Sequence, residues 1–218
     1  MLPSRYRFRA TPTPEHLIRS IDGTKLPRHY GVSFTRTGVI RADYGRIVFR
    51  DRMWEHPTLA ALVCEGLFFL PMRELLIPTM FVGAQLDIVT RMFGTTPDGA
   101  LLDQLRAQDL RARRPITLSG GERRRADLAA AVCRTPVCLL ADEPLRDLAP
   151  LDAECCAEVL RSLARAGCAV VVTGHEVGPL LLMADRVVWC TEGTTYDLGT
   201  PASAADHWAF RPGYLADA

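Results

Sequence analysis

Leu118-Ser119-Gly120-Gly121-Glu122-Arg123-Arg124-Arg125 is followed by Val137-Cys138-Leu139-Leu140-Ala141-Asp142-Glu143-Pro144, and then by Val170-Val171-Val172-Thr173-Gly174-His175. The first stretch reads as the start of a helix. Ser119 accepts from a first-turn N–H and Glu122 reaches back, which makes a capping box. Gly120 and Gly121 leave room for a phosphate to approach the free N–H groups, where the helix dipole is positive. Alone, Ser119-x-x-Glu122 is a helix cap and nothing more. The Asp142-Glu143 pair, emerging from an apolar strand and followed by Pro144, shifts the balance toward phosphate chemistry.

The remaining composition bounds the answer. The 218 residues suit one domain carrying an inserted lobe, and 48% hydrophobic content supports a sizeable core. A net charge of +1 argues against general attraction to nucleic acid, so no nucleic-acid partner is expected. Arg5, Arg7 and Arg9, and Arg111, Arg113 and Arg114, read as solvated basic faces. Cysteines 64, 133, 138, 155, 156, 168 and 190 contain no CxxC pair and suggest buried thiols in a reducing compartment. No apolar run approaches the roughly 20 residues that span a bilayer, and the start lacks a signal-peptide stretch. A soluble, cytoplasmic protein is expected, reaching a membrane only through partners.

Along the chain, strands are expected at 17–21, 46–50, 67–70, 137–142, 169–173, 186–190 and 194–198. Helices are expected at 82–92, 100–110, 119–133 and 152–166, with a last short helix after Gly199-Thr200-Pro201. Gly31 to Ile40 reads equally as helix or strand. The strand–helix–strand run from 137 to 173 is a β–α–β unit, whose crossover should be right-handed.

The order of these motifs resembles the second half of an ABC transporter ATP-binding subunit: signature motif, Walker B strand with its glutamate, and H-loop histidine. The likeness extends backward through Phe69-Leu70-Pro71-Met72 and Asp43-Tyr44-Gly45-Arg46-Ile47. Gly199-Thr200-Pro201 and Tyr214-Leu215 resemble the lipopolysaccharide-export and branched-chain-amino-acid types, with Glu122-Arg-Arg-Arg125 leaning toward the former. The resemblance implies an α/β P-loop NTPase fold of ABC type. Its RecA-like core would take 1–71 and 136–218, and a shortened inserted helical lobe would take 72–135.

By the family's spacing the phosphate loop falls at Gly23 to Tyr30, and there the chain departs from GxxxxGK[ST]. Gly23 remains, but Arg28 replaces the second glycine, His29 the lysine and Tyr30 the hydroxyl residue. An imidazole with a pKa of ~6.5 is mostly neutral at pH 7 and reaches less far than lysine. Lys25, four residues before His29, is either an exposed loop lysine or the cation of a rearranged loop. Met72 stands in the Q-loop glutamine's place and Ala149 in that of the D-loop aspartate, and by the family's spacing the adenine-stacking aromatic is expected before the first residue, with the first strands truncated. The Walker A motif is degenerate, whereas the signature half is complete.

In this family two subunits sandwich two ATP molecules, each between one chain's phosphate loop and the other's signature. The resemblance therefore assigns Ser119, Gly120, Gly121 and Glu122 to a partner's ATP, and Gly23, Lys25 and His29 to the chain's own. Asp142 would hold Mg²⁺, Glu143 would polarise the attacking water and His175 would contact the γ-phosphate. The implied cofactors are ATP and Mg²⁺. The implied partners are a second ATP-binding subunit, in a hetero- or homodimer, and permease subunits that hold the chain on the inner face of the cell membrane. Three functions follow: a degenerate subunit donating its signature to a competent partner, an active homodimeric ATPase with an atypical loop, or a scaffold without nucleotide chemistry.

Overall fold

The computed structural model describes residues 18–22, 47–50, 52–54, 57–191 and 194–210. In chain order the strands are β1 (Ile18–Asp22), β2 (Ile47–Phe49), β3 (Arg52–Trp54), β4 (Leu67–Leu70), β5 (Cys138–Asp142), β6 (Ala169–Thr173), β7 (Arg186–Thr191) and β8 (Thr194–Gly199). The α-helices are α1 (Leu59–Cys64), α2 (Val82–Phe93), α3 (Gly99–Gln104), α4 (Ala107–Leu110), α5 (Gly120–Arg134), α6 (Pro150–Arg165), α7 (Val177–Met183) and α8 (Pro201–Ala205). A single 3₁₀ turn at Pro115–Thr117 precedes α5.

Six strands form one sheet in the order β4-β5-β6-β1-β7-β8, parallel up to β7 and antiparallel between β7 and β8. β2 and β3 pair separately. Parallel strands covered by helices must be apolar on both faces. Accordingly Leu139, Val170 and Val172 are wholly buried, among Leu128, Ala129 and Val132 of α5 and Val159 and Leu160 of α6. Ala129, Ala130 and Ala131 are buried with Leu128 and Val132 along the middle of α5.

The register sets the site. Asp142 pairs with Thr173 across β5 and β6, and Leu70 pairs with Ala141 across β4 and β5. The carboxyl ends of these strands therefore open at one edge of the sheet, the usual place for ligands in an open α/β sheet. β1 lies between β6 and β7 and ends at Asp22, immediately before the expected phosphate loop.

Several expectations change. The helix expected over 100–110 is two pieces, α3 and α4, parted by Arg106 at φ 50°. Leu105 and Ala107 are both buried, yet on one straight helix they would point about 200° apart. A left-handed residue between them turns both inward. α6 starts at Pro150 rather than Asp152, with proline in the first turn, where its missing N–H costs nothing. Helices α1 and α7 were not anticipated. Thr58 caps α1 by accepting from Ala61 N at 3.2 Å, a short polar signal before a six-residue helix. The Gly31–Ile40 segment, Asp43-Tyr44-Gly45 and Tyr214-Leu215 lie outside the described residues.

Candidate functional site

β5 delivers Asp142 and Glu143 to the sheet edge, and both are buried. Thr173 donates its hydroxyl to Asp142 Oδ1 at 2.6 Å and accepts from Glu143 N at 3.1 Å. Glu143 N also donates to the Thr173 carbonyl at 3.1 Å. Glu143 has φ 44°, a left-handed conformation that non-glycine residues adopt only where surroundings impose it. Here the bonds from strand β6 hold that turn. In sequence Thr173 is only part of a strand; the register of β5 and β6 sets it beside Asp142.

Glu143 Oε2 lies 3.1 Å from Arg146 Nη1 and 3.3 Å from His175 Nδ1. Arg146 Nη1 also lies 3.2 Å from Met72 Sδ, and its Nε lies 3.2 Å from Asp147 Oδ2. The structure thus brings Asp142, Glu143 and His175 together and adds Arg146, which carries no motif in the sequence. Asp142 suits Mg²⁺ chemistry as one carboxylate ligand, since this ion is commonly bound by one or two carboxylates together with phosphate and water. Among the described residues no cluster of three His, Cys, Asp or Glu side chains could hold a metal unaided.

Ser119, Gly120, Gly121 and Glu122 lie on a separate element, the start of α5. The capping box forms as read: Glu122 N donates to Ser119 Oγ at 3.2 Å, and Ser119 N donates to Glu122 Oε2 at 2.8 Å. That backbone N–H first, and then Arg113 at 2.6 Å, lower the Glu122 pKa. A side chain at Gly120 would meet only open space, whereas a Cβ on Gly121 would fall 1.9 Å from Asp152 Oδ2. Asp152 forms an ion pair with Arg125 Nε at 3.2 Å. Ala149, at the expected D-loop aspartate position, is the N-cap of α6 and makes no side-chain cap bond. Gly23, Lys25 and His29 lie outside the described residues.

Arg124 connects the two regions. Its Nε donates to Pro144 O at 3.0 Å and its Nη1 to Pro71 O at 2.8 Å. Its Nη2 faces the carbonyls of Glu143, Asp142 and Met72 at 3.0, 3.3 and 3.5 Å. Burial lowers its pKa. One turn later Asp127 is buried and pushed up to about 6, chiefly by desolvation and against the pull of Arg124. In sequence Asp127 is one more charge on a helix, and Arg124 is one member of the Arg123–Arg125 run.

The family model described as ABC transporter matches residues 37–146. The chain is 27% identical over 190 residues to the lipopolysaccharide export system ATP-binding protein LptB of Acidithiobacillus ferridurans, covering 84% of this chain and 79% of that protein. It is 33% identical over 179 residues to the molybdenum import ATP-binding protein ModC of Mycobacterium tuberculosis, covering 76% of this chain and 48% of that one. Among solved structures, a nucleotide-free ATP-binding cassette from an ABC transporter superposes with a TM-score of 0.76 at 18% identity, over 93% of this chain and 85% of the other. A dimeric cassette in a post-hydrolysis state, bound to ADP and Pi, superposes at 0.71 and 19% identity, over 84% and 86%. These neighbours establish the P-loop NTPase cassette fold. Together with the family match over half its length, they make the chain a member of the ABC transporter family, an ATP-binding component of such a transporter.

Proposed function

We propose that this chain is a degenerate ATP-binding subunit that donates its Ser119–Glu122 signature to a competent partner cassette. The observation carrying this reading is the Arg146–Glu143 contact at 3.1 Å, beside His175 at 3.3 Å. The oxygen that would polarise an attacking water is already engaged by a guanidinium and an imidazole. The replaced Arg28, His29 and Tyr30 point the same way, because phosphoryl transfer rests on positioning and charge neutralisation. At the start of α5, by contrast, the capping box is complete and Gly120 is open.

In this reading Ser119, Gly120, Gly121 and Glu122 serve the partner's ATP, and Asp142, Glu143 and His175 belong to the chain's own impaired site with Gly23, Lys25 and His29. Residues 72–135 form the helical lobe and 1–71 with 136–218 the core; every described strand of the sheet lies outside 72–135. The family's cassettes bind ATP with Mg²⁺, dimerise and work with permeases. Permease subunits would hold this one on the inner face of the membrane. Among the described residues no helix is long and apolar enough to cross a membrane itself.

The test compares two variants in the assembled complex. Ser119→Arg places a cation at the positive end of a helix dipole and should abolish phosphate release. Glu143→Gln removes a general base from the impaired site and should cost little. If Glu143→Gln is damaging and Ser119→Arg is tolerated, the donated-signature reading is wrong.

A further inference from the structure

The segment from Pro71 to Met80 joins β4 to α2 with neither helix nor strand, and it is held from two sides. From α2, the buried Gln85 accepts from Ile77 N at 2.8 Å and donates to the carbonyls of Ile77 and Met80, both at 3.0 Å. From α5, two side chains grip the earlier part. Arg123 Nη1 lies 2.6 Å from Glu74 Oε1. Arg124 donates to the carbonyls of Pro71 and Met72. The same guanidinium also holds the Asp142, Glu143 and Pro144 carbonyls.

A buried guanidinium is suited to this, because its donors are fixed in one plane and cannot satisfy two loops unless both keep their positions. α5 beneath it is buried from Ala126 to Arg134 and offers a rigid base. Met72 occupies the position where a glutamine amide would face nucleotide, and a thioether is only a weak acceptor.

We infer that Arg124 is a positioning residue that makes segment 71–76 and the Asp142–Pro144 turn follow the start of α5. These parts then take their position from a nucleotide held at Ser119–Gly121, rather than from one on the chain's own phosphate loop. That consequence rests on the donated-signature reading. The fastening concerns this chain alone and is testable without a partner.

The experiment is hydrogen–deuterium exchange on the full chain and its variants. Arg124→Met should speed exchange of the 72–76 and 142–146 amides by roughly tenfold or more, leaving β6 and the middle of α6 unchanged. Arg124→Lys should restore slow exchange in one of the two segments at most, since an ammonium cannot span both. Should Arg124→Met fail to fold, Arg124→Lys alone carries the test, and slow exchange kept in both segments overturns the inference. Unchanged exchange at 72–76 in a folded variant overturns the inference, as does uniform acceleration across all elements. Either failure leaves the Ser119→Arg comparison standing. A failure of that comparison in turn leaves the fastening standing.

Discussion

Thr173 and Asp142 meet side chain to side chain at 2.6 Å, across the register of β6 and β5, with the hydroxyl donating to the carboxylate. The same oxygen accepts from Glu143 N, so one hydroxyl holds both acidic residues. Thr173→Val keeps the shape and leaves a buried acceptor short of its donor. It should cost about 1–3 kcal/mol in urea denaturation, whereas Thr173→Ser should recover most of the loss. Equal stability of the valine variant would show that the bond contributes nothing to holding the turn.

Gly121 is required by its neighbour. A methyl there would fall 1.9 Å from Asp152 Oδ2 and 2.4 Å from its Cγ. Gly121→Ala forces the Asp152 carboxylate to turn aside and weakens its ion pair with Arg125, at a cost of up to about 1 kcal/mol. Combining it with Asp152→Ala should remove most of that penalty, a coupling that a double-mutant cycle measures directly. Additive losses would mean that Gly121 is needed for another reason.

Asp127 gives stability a definite pH dependence. Its pKa is raised from 3.8 to about 6 in the folded chain, so the native state binds the extra proton between those values. Its contribution is fully present below about pH 4 and is lost as pH rises through about 6, on the order of 3 kcal/mol at most. Denaturation at a series of pH values should show this fall, and Asp127→Asn should flatten it. A wild-type profile that the asparagine variant reproduces would assign the slope to other groups.

The cysteines should separate by burial. Desolvation pushes the Cys156 thiol up to about 12 and raises that of Cys168 as well, while Cys64 is exposed. A thiol-specific reagent at neutral pH should modify Cys64 in the native chain and reach Cys156 and Cys168 only on unfolding. Mass spectrometry of the labelled peptides would read the order. Native labelling of Cys156 or Cys168 would contradict their buried placement.

The proposed placement of the phosphate loop at Gly23–Tyr30 carries its own consequence. With His29 taken as the residue in the lysine position, the isolated chain should bind Mg-ATP more weakly than about 1 mM by calorimetry. Joint replacement Arg28→Gly, His29→Lys and Tyr30→Thr should raise that affinity. Micromolar binding by the unaltered chain would contradict the reading of Gly23–Tyr30 as a defective loop.

Elements whose information is local follow from the residues alone. The capping box needs only Ser119 and Glu122 three residues apart, and β5 only a short apolar run ended by acidic residues. Family membership was legible for a similar reason, since the motifs keep their order along the chain. Tertiary structure decided what depends on residues distant in sequence. Arg106 turns left-handed because Leu105 and Ala107 must both reach one core. Thr173 holds Asp142 because two strands meet in one register, and Arg146 lies on Glu143 because a left-handed turn folds the loop back. Arg124 was indistinguishable in sequence from Arg123 and Arg125. Only the packing of α5 turns it inward to carbonyls of two loops, because a buried guanidinium must find acceptors and the neighbouring arginines find carboxylates instead.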